Sequence, residues 1–97
     1  MNESLTDLRD ILVLMQKGQW NTAHDRVQHQ QGLLAAWLHG LLHLQEGDLE
    51  DAENWYDRGG QSFRQRGSLQ EELKRFEAVL DEQSDDSLSA QHISDRL

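Results

Sequence analysis

Apolar residues recur along this chain at spacings of three and four, which is the pattern of one face of an α-helix. The first such stripe follows Ser4, a predicted N-cap, and consists of Leu5, Leu8, Leu12 and Met15. Glycines at positions 18, 32 and 47 separate successive stripes and predict helix ends. Because the chain contains no proline and few β-branched residues, the pattern predicts an all-α protein of about five helices.

The middle of the chain is its least polar part. Residues 33–44 include no Asp, Glu, Lys or Arg, so we predict that this third helix is the central, buried one. A more polar second helix over 19–31 precedes it, with an apolar stripe of Trp20, Ala23 and Val27. The fourth helix begins at Asp48 and ends at Gly59 or continues to about Gln65.

The last predicted helix begins with a capping box, in which Ser68 is followed three residues later by Glu71. An apolar stripe continues to Leu80, and beyond it the chain becomes acidic and rich in serine. We therefore predict a single domain over residues 1–83. Residues 84–97 form a tail that is either disordered or a short docking helix.

Connections of only a few residues favour antiparallel neighbours, so we expect the helices to stack as hairpins. Residues 33–66 resemble one tetratricopeptide repeat: Gly40 and Ala52 stand at its small positions, Gly47 at its turn and Tyr56 at its aromatic position. Residues 18–27 show a weaker resemblance to the same repeat. The resemblance implies a TPR-like bundle that acts in protein–protein interaction.

Four ordered strings carry a second resemblance: Trp20 to His24, Trp37 to His43, Glu46-Gly47-Asp48, and Ala52 to Arg58. Together they are similar to a small family of uncharacterised bacterial helical proteins, over roughly residues 18–61. This family implies a fold and a bacterial origin but no activity. Gly59 stands where the family resemblance would favour alanine.

Charge and composition narrow the possible partners. The 97 residues carry 18 acidic and 9 basic side chains, a net charge of −9, which disfavours nucleic acids and anionic membranes as partners. There is no cysteine for a disulfide or a thiolate site. No apolar run approaches the roughly 20 residues of a membrane span, and the first residues lack signal-peptide features, so we expect a cytoplasmic protein.

Histidines supply the most distinctive candidate chemistry. His39 and His43 are four residues apart and leave one helical face, and Glu46 extends that row by three residues. His24 is a plausible neighbour from the second helix, with Gln28 one turn beyond it. These side chains are candidate ligand-binding residues, and His24, His39 and His43 are candidate ligands of a divalent metal ion. Alternatively, the histidines are structural and hydrogen-bond within the core.

Trp55 and Tyr56 join the candidate ligand-binding residues as possible walls of an aromatic pocket; the alternative is that they fill the core. The His-Gly-Leu-Leu-His string lacks the glutamate of zinc proteases, and no nucleophile or phosphate-loop motif is present. We therefore predict a non-catalytic interaction or scaffold module that binds a protein partner or itself, as a homo-oligomer with a dimer as its expected form. The alternative is a pocket protein, or a minor enzyme, that uses the histidine cluster. No cofactor is expected beyond a possible divalent metal.

Overall fold

The protein is all-α, and its computed structural model describes residues 4–96, with side chains described as far as residue 83. Within this part of the chain the structure contains helices and no strands. The helices are α1 (Leu5–Gln16), α2 (Trp20–Val27), α3 (Leu33–Glu46), α4 (Leu49–Arg58) and α5 (Leu69–Arg96). The prediction of an all-α protein with five helices is confirmed.

The predicted caps define the start of two helices. The Ser4 hydroxyl accepts a hydrogen bond from the Asp7 backbone N–H at 3.2 Å and caps α1. At α5, the Ser68 hydroxyl accepts from the Glu71 N–H, and the Glu71 carboxylate accepts from the Ser68 N–H at 2.8 Å. This reciprocal pair is the predicted capping box.

The end of α2 lies earlier than its sequence pattern predicts. The helix stops at Val27, and the residues up to Gln31 form a turn in which the Gln30 N–H donates to the Val27 carbonyl. Gly32, predicted to end α2, is instead the N-cap of α3, with φ 110°. The polar run after Val27 offers no apolar side chain to pack, so nothing extends the helix through it.

Helix α4 ends at Arg58, at the first of the two positions that the sequence allowed. Gly60 follows with φ 72°, a left-handed conformation that stops the helix. Helix α5 is continuous from Leu69 to Arg96. The predicted boundary between a domain and a tail at residue 84 remains a prediction, because the side chains from residue 84 onward lie outside the described residues.

Helix α3 is the centre of the core, as its uncharged sequence predicts. Trp37 is 1% exposed and Leu38, Leu41 and Leu42 are fully buried. Side chains from α1, α2, α4 and α5 enclose this helix; among them are Leu8, Leu12, Met15, Val27, Tyr56, Phe76 and Leu80. Burial of these side chains is the main stabilising contribution in a chain of this size.

Helix α4 packs closely on α3 because small residues occupy the contact. A Cβ atom on Gly40 would lie 2.7 Å from the Tyr56 ring and 3.2 Å from the Ala52 carbonyl oxygen. At the end of α4, a Cβ on Gly59 would lie 2.8 Å from the backbone nitrogen of Trp37. The close approach brings Trp55 of α4 against the histidines of α3.

Within the described residues, none of the helices is both long and apolar enough for a membrane span.

Candidate functional site

A cluster of imidazole rings lies where α2 packs on α3. His39 and His43 leave the same face of α3, as their spacing predicts, and their rings are nearly parallel, with centroids 5.1 Å apart and planes 8° apart. His39 is 7% exposed and counts among the two buried polar residues of the described core, the other being Glu72. The side chain of His43 is 13% exposed.

His24 enters the cluster from α2. Its ring stands almost perpendicular to both others, with centroids 4.9 Å from His39 and 4.7 Å from His43. The Nε2 atoms of His24 and His39 lie 3.1 Å apart, within hydrogen-bond distance. The predicted convergence of these three side chains therefore exists in the structure, and one ring nitrogen from each lies within 4.8 Å of the others.

Glu46 fixes the orientation of His24. One carboxylate oxygen lies 2.9 Å from Nδ1 of His24. An ionised carboxylate only accepts hydrogen bonds, so Nδ1 of His24 is the protonated nitrogen and, in the neutral ring, Nε2 carries the lone pair. It follows that Nε2–H of His39 donates to Nε2 of His24.

Burial keeps His39 neutral. Loss of hydration, followed by repulsion from His24, His43 and Arg58 when these are charged, lowers the pKa of His39 from 6.5 to about 4. At neutral pH this imidazole therefore offers a lone pair rather than a positive charge.

The third ring has an unsatisfied atom. Nδ1 of His43 is buried and has no hydrogen-bond partner, although carboxylate oxygens of Glu46 and Asp48 approach it at 3.7 and 3.5 Å. Buried polar atoms in native proteins are nearly always hydrogen-bonded, and among the described side chains Nε1 of Trp37 is the other such atom without a partner.

Trp55 forms one wall of the cluster and connects it to a cleft. Its ring stacks on His39, with centroids 3.9 Å apart and planes 13° apart, and the Arg58 guanidinium lies 4.5 Å from the Trp55 ring centroid. The cleft encloses about 460 Å³ beside these residues. Its lining consists of Gln30, Gln31, Gly32, Leu33, Ala35, Ala36, His39, Trp55 and Arg58.

The structure separates the predicted site residues into two groups. His24, His39, His43, Glu46 and Trp55 meet in the cluster. Gln28 is exposed at the C-cap of α2, and none of the described contacts of the cluster includes it. Tyr56 faces the core, where its hydroxyl donates to Glu72 at 2.6 Å. A ligand-binding role for Gln28 and Tyr56 remains a prediction.

Two residues beside the cluster were not among the predicted site residues. Asp48 lies at the turn after α3, where its carboxylate approaches His43, and with Asp51 it forms a second group that could hold a cation. Arg58 reaches the Trp55 ring from three residues further along α4, a spacing that places both on one helical face and could have indicated the contact.

Comparison of the chain with protein-family models, with curated proteins and with solved structures found no match. The resemblances to the tetratricopeptide repeat and to a bacterial helical family therefore remain predictions. The geometry of the histidine cluster and of the Trp55 cleft is therefore the basis for proposing a function.

Proposed function

We propose that the protein is a non-catalytic interaction module whose helices form TPR-like antiparallel hairpins. The close approach of α3 and α4 supports this proposal, because Gly40, Ala52 and Tyr56 meet at the positions where the repeat needs small and aromatic residues. Gly47, with φ 81°, makes the turn between the two helices. The same pairing leaves the Trp55 cleft open beside the α2–α3 connection.

The observation that carries the proposal is the exposure of Leu33 at the cleft. Leu33 is 64% exposed, the largest value among the large hydrophobic residues that the structure describes as exposed. It lines the cleft together with Ala36 and the Trp55 ring. An apolar side chain from a partner would bury Leu33 here, and an aromatic residue at the centre of such a contact is typical of an interaction surface.

The occupant that we propose is a second copy of the chain. Arg58 places a positive charge in the cleft. A second copy of the chain, with its net charge of −9, offers many carboxylates that can pair with Arg58. A symmetric dimer is also the commonest assembly for a chain that binds itself.

Light scattering coupled to size-exclusion chromatography tests the proposal on the full-length chain. We expect a dimer for the wild type and a monomer for Leu33→Glu, because the introduced carboxylate removes the apolar contact of Leu33 and competes with the carboxylates of the second copy for Arg58. Leu49→Glu is the matched control: Leu49 is also exposed, at 51%, but does not line the cleft, so this variant stays dimeric. A monomeric wild type, or a dimeric Leu33→Glu variant, overturns the proposal.

A further inference from the structure

We propose that His24, His39 and His43 form a binding site for one divalent transition-metal ion of the zinc type. The inference concerns the histidine cluster and does not depend on self-association through the cleft.

The spacing of the ring nitrogens suits such an ion. Zinc–imidazole bonds of about 2.0–2.1 Å place the nitrogens of a tetrahedral site roughly 3.3 Å apart. Nε2 of His24 and Nε2 of His39 are already 3.1 Å apart. Since one nitrogen of each ring lies within 4.8 Å of the others, an ion would draw the third imidazole, that of His43, inward by at most about 1.5 Å.

Glu46 supplies the outer support that a ligating histidine needs. Metal-bound imidazoles almost always donate their other N–H to a carboxylate or carbonyl, which fixes the tautomer and raises the basicity of the ligand. Glu46 accepts from Nδ1 of His24 at 2.9 Å and so holds Nε2 toward the cluster as a lone pair.

Metal binding requires a change of tautomer in one ring. Without an ion, one proton lies between His24 and His39. On binding, the proton on Nε2 of His39 moves through solvent to Nδ1 of the same ring, so that all three imidazoles remain neutral and each gives a lone pair. A tetrahedral ion held by three imidazoles takes a water molecule as its fourth ligand.

The ligand set also selects the ion. Three neutral nitrogens favour zinc, cobalt, nickel and copper, whereas magnesium and calcium require oxygen ligands. Asp48 and Asp51 form an oxygen-rich group next to His43, but both are exposed, and exposed acidic groups are common without an ion.

Metal titration of the full-length chain tests the inference. The protein is purified without a polyhistidine tag, stripped with a chelator, and titrated with cobalt(II) and zinc. We expect one ion per chain and the intense visible absorption of tetrahedral cobalt, with no binding of magnesium or calcium. His39→Ala and His43→Ala are expected to lose more affinity than the roughly 10–100-fold that Glu46→Gln costs as a supporting residue.

His29→Ala is the matched control, since His29 lies on the exposed surface after α2 and outside the cluster. This variant is expected to bind cobalt and zinc like the wild type. Long-range proton–nitrogen spectra of the wild type provide a second readout that needs no variant to fold. Zinc is expected to shift the ring nitrogens of His24, His39 and His43 and to leave those of His29 unchanged.

Absence of cobalt and zinc binding by the wild type overturns the inference, as does binding that survives His39→Ala and His43→Ala. Zinc-induced shifts confined to other histidines overturn it as well. None of these results bears on the proposed dimer, which light scattering measures on the metal-free protein.

Discussion

Nε2 of His24 and Nε2 of His39 share a single proton across 3.1 Å. Glu46 accepts a hydrogen bond from Nδ1 of His24, so the bond between the two Nε2 atoms is lost only when both rings are protonated. Protonation of His39 adds a charge to a residue that is 7% exposed and faces His24, His43 and Arg58. The cluster therefore links the stability of the fold to pH.

The first prediction concerns this pH dependence in the metal-free protein. Because the pKa of His39 is about 4 when folded and 6.5 in its ordinary state, the unfolded chain takes up the proton first as the pH falls. The contribution of neutral His39 to the free energy of unfolding is complete above pH 6.5. It declines by roughly 2–3 kcal/mol as the pH falls toward 4. Chemical denaturation at several pH values, with a chelator present, measures the decline in the free energy of unfolding.

His39→Gln separates this effect from the titration of carboxylates. The variant keeps a polar side chain but cannot be protonated, so its free energy of unfolding should fall less between about pH 7 and pH 5 than that of the wild type. His29→Ala, which changes an exposed histidine, should follow the wild type. Equal slopes for the wild type and His39→Gln would contradict the prediction.

The sequence contains enough information to predict the helices but not all of their ends. Apolar spacing and capping residues locate α1, α3 and the start of α5, because these signals are local. The end of α2 at Val27 was missed, since the polar run from Gln28 to Gln31 has no strong breaker before Gly32. Packing of neighbouring helices decides how far such a segment remains helical.

Part of the site could be predicted because it lies on one helix. His39, His43 and Glu46 share a face of α3 by spacing alone. The contact of His24 with these residues could not be predicted in the same way, because it depends on how α2 lies across α3.

The adjacent residues Trp55 and Tyr56 show a second limit of sequence reasoning. Successive residues of a helix point about 100° apart, so the two side chains enter different surroundings. Their pattern did not show which surroundings each enters: Trp55 stacks on His39, and Tyr56 points into the core.

The second prediction concerns Gly59, whose packing the sequence did not reveal. A Cβ there would lie 2.8 Å from the Trp37 nitrogen and 3.0 Å from the Leu33 carbonyl oxygen, and these backbone atoms of α3 cannot rotate away. Gly59→Ala is therefore expected to lower the free energy of unfolding by about 1–3 kcal/mol, as overpacking does. The alanine that the family resemblance favours at this position does not fit the observed packing. Urea denaturation measures the loss.

Asn54→Ala is the control for this substitution, because it also introduces an alanine in α4 but at an exposed position. That change should cost less than about 1 kcal/mol. A Gly59→Ala variant as stable as Asn54→Ala would show that α3 and α4 are farther apart than the structure places them.

The third prediction concerns the buried hydrogen bond between Tyr56 and Glu72. The Tyr56 hydroxyl donates to one carboxylate oxygen at 2.6 Å, and the Gly67 N–H donates to the other at 3.1 Å. Burial by itself would raise the pKa of Glu72, but the hydrogen bonds from Tyr56, Arg75 and Gly67 outweigh it and lower that pKa. Burial, and then the bond to the Glu72 carboxylate, raise the pKa of Tyr56 above its ordinary value of 10.0.

Tyr56 is the only tyrosine of the chain, so the absorbance of tyrosinate reports on this residue alone. Its raised pKa means that its contribution to stability is complete below pH 10 and is lost as the pH rises further. We expect tyrosinate to appear only as the helices unfold, with circular dichroism and tyrosinate absorbance changing together.

Tyr56→Phe should lower the free energy of unfolding by about 1.5–3 kcal/mol at neutral pH, because it removes a hydrogen bond to a charged group. The variant should also show a weaker decline in stability above pH 10. Ionisation of Tyr56 near pH 10 in a protein that remains helical would show instead that its hydroxyl is open to solvent.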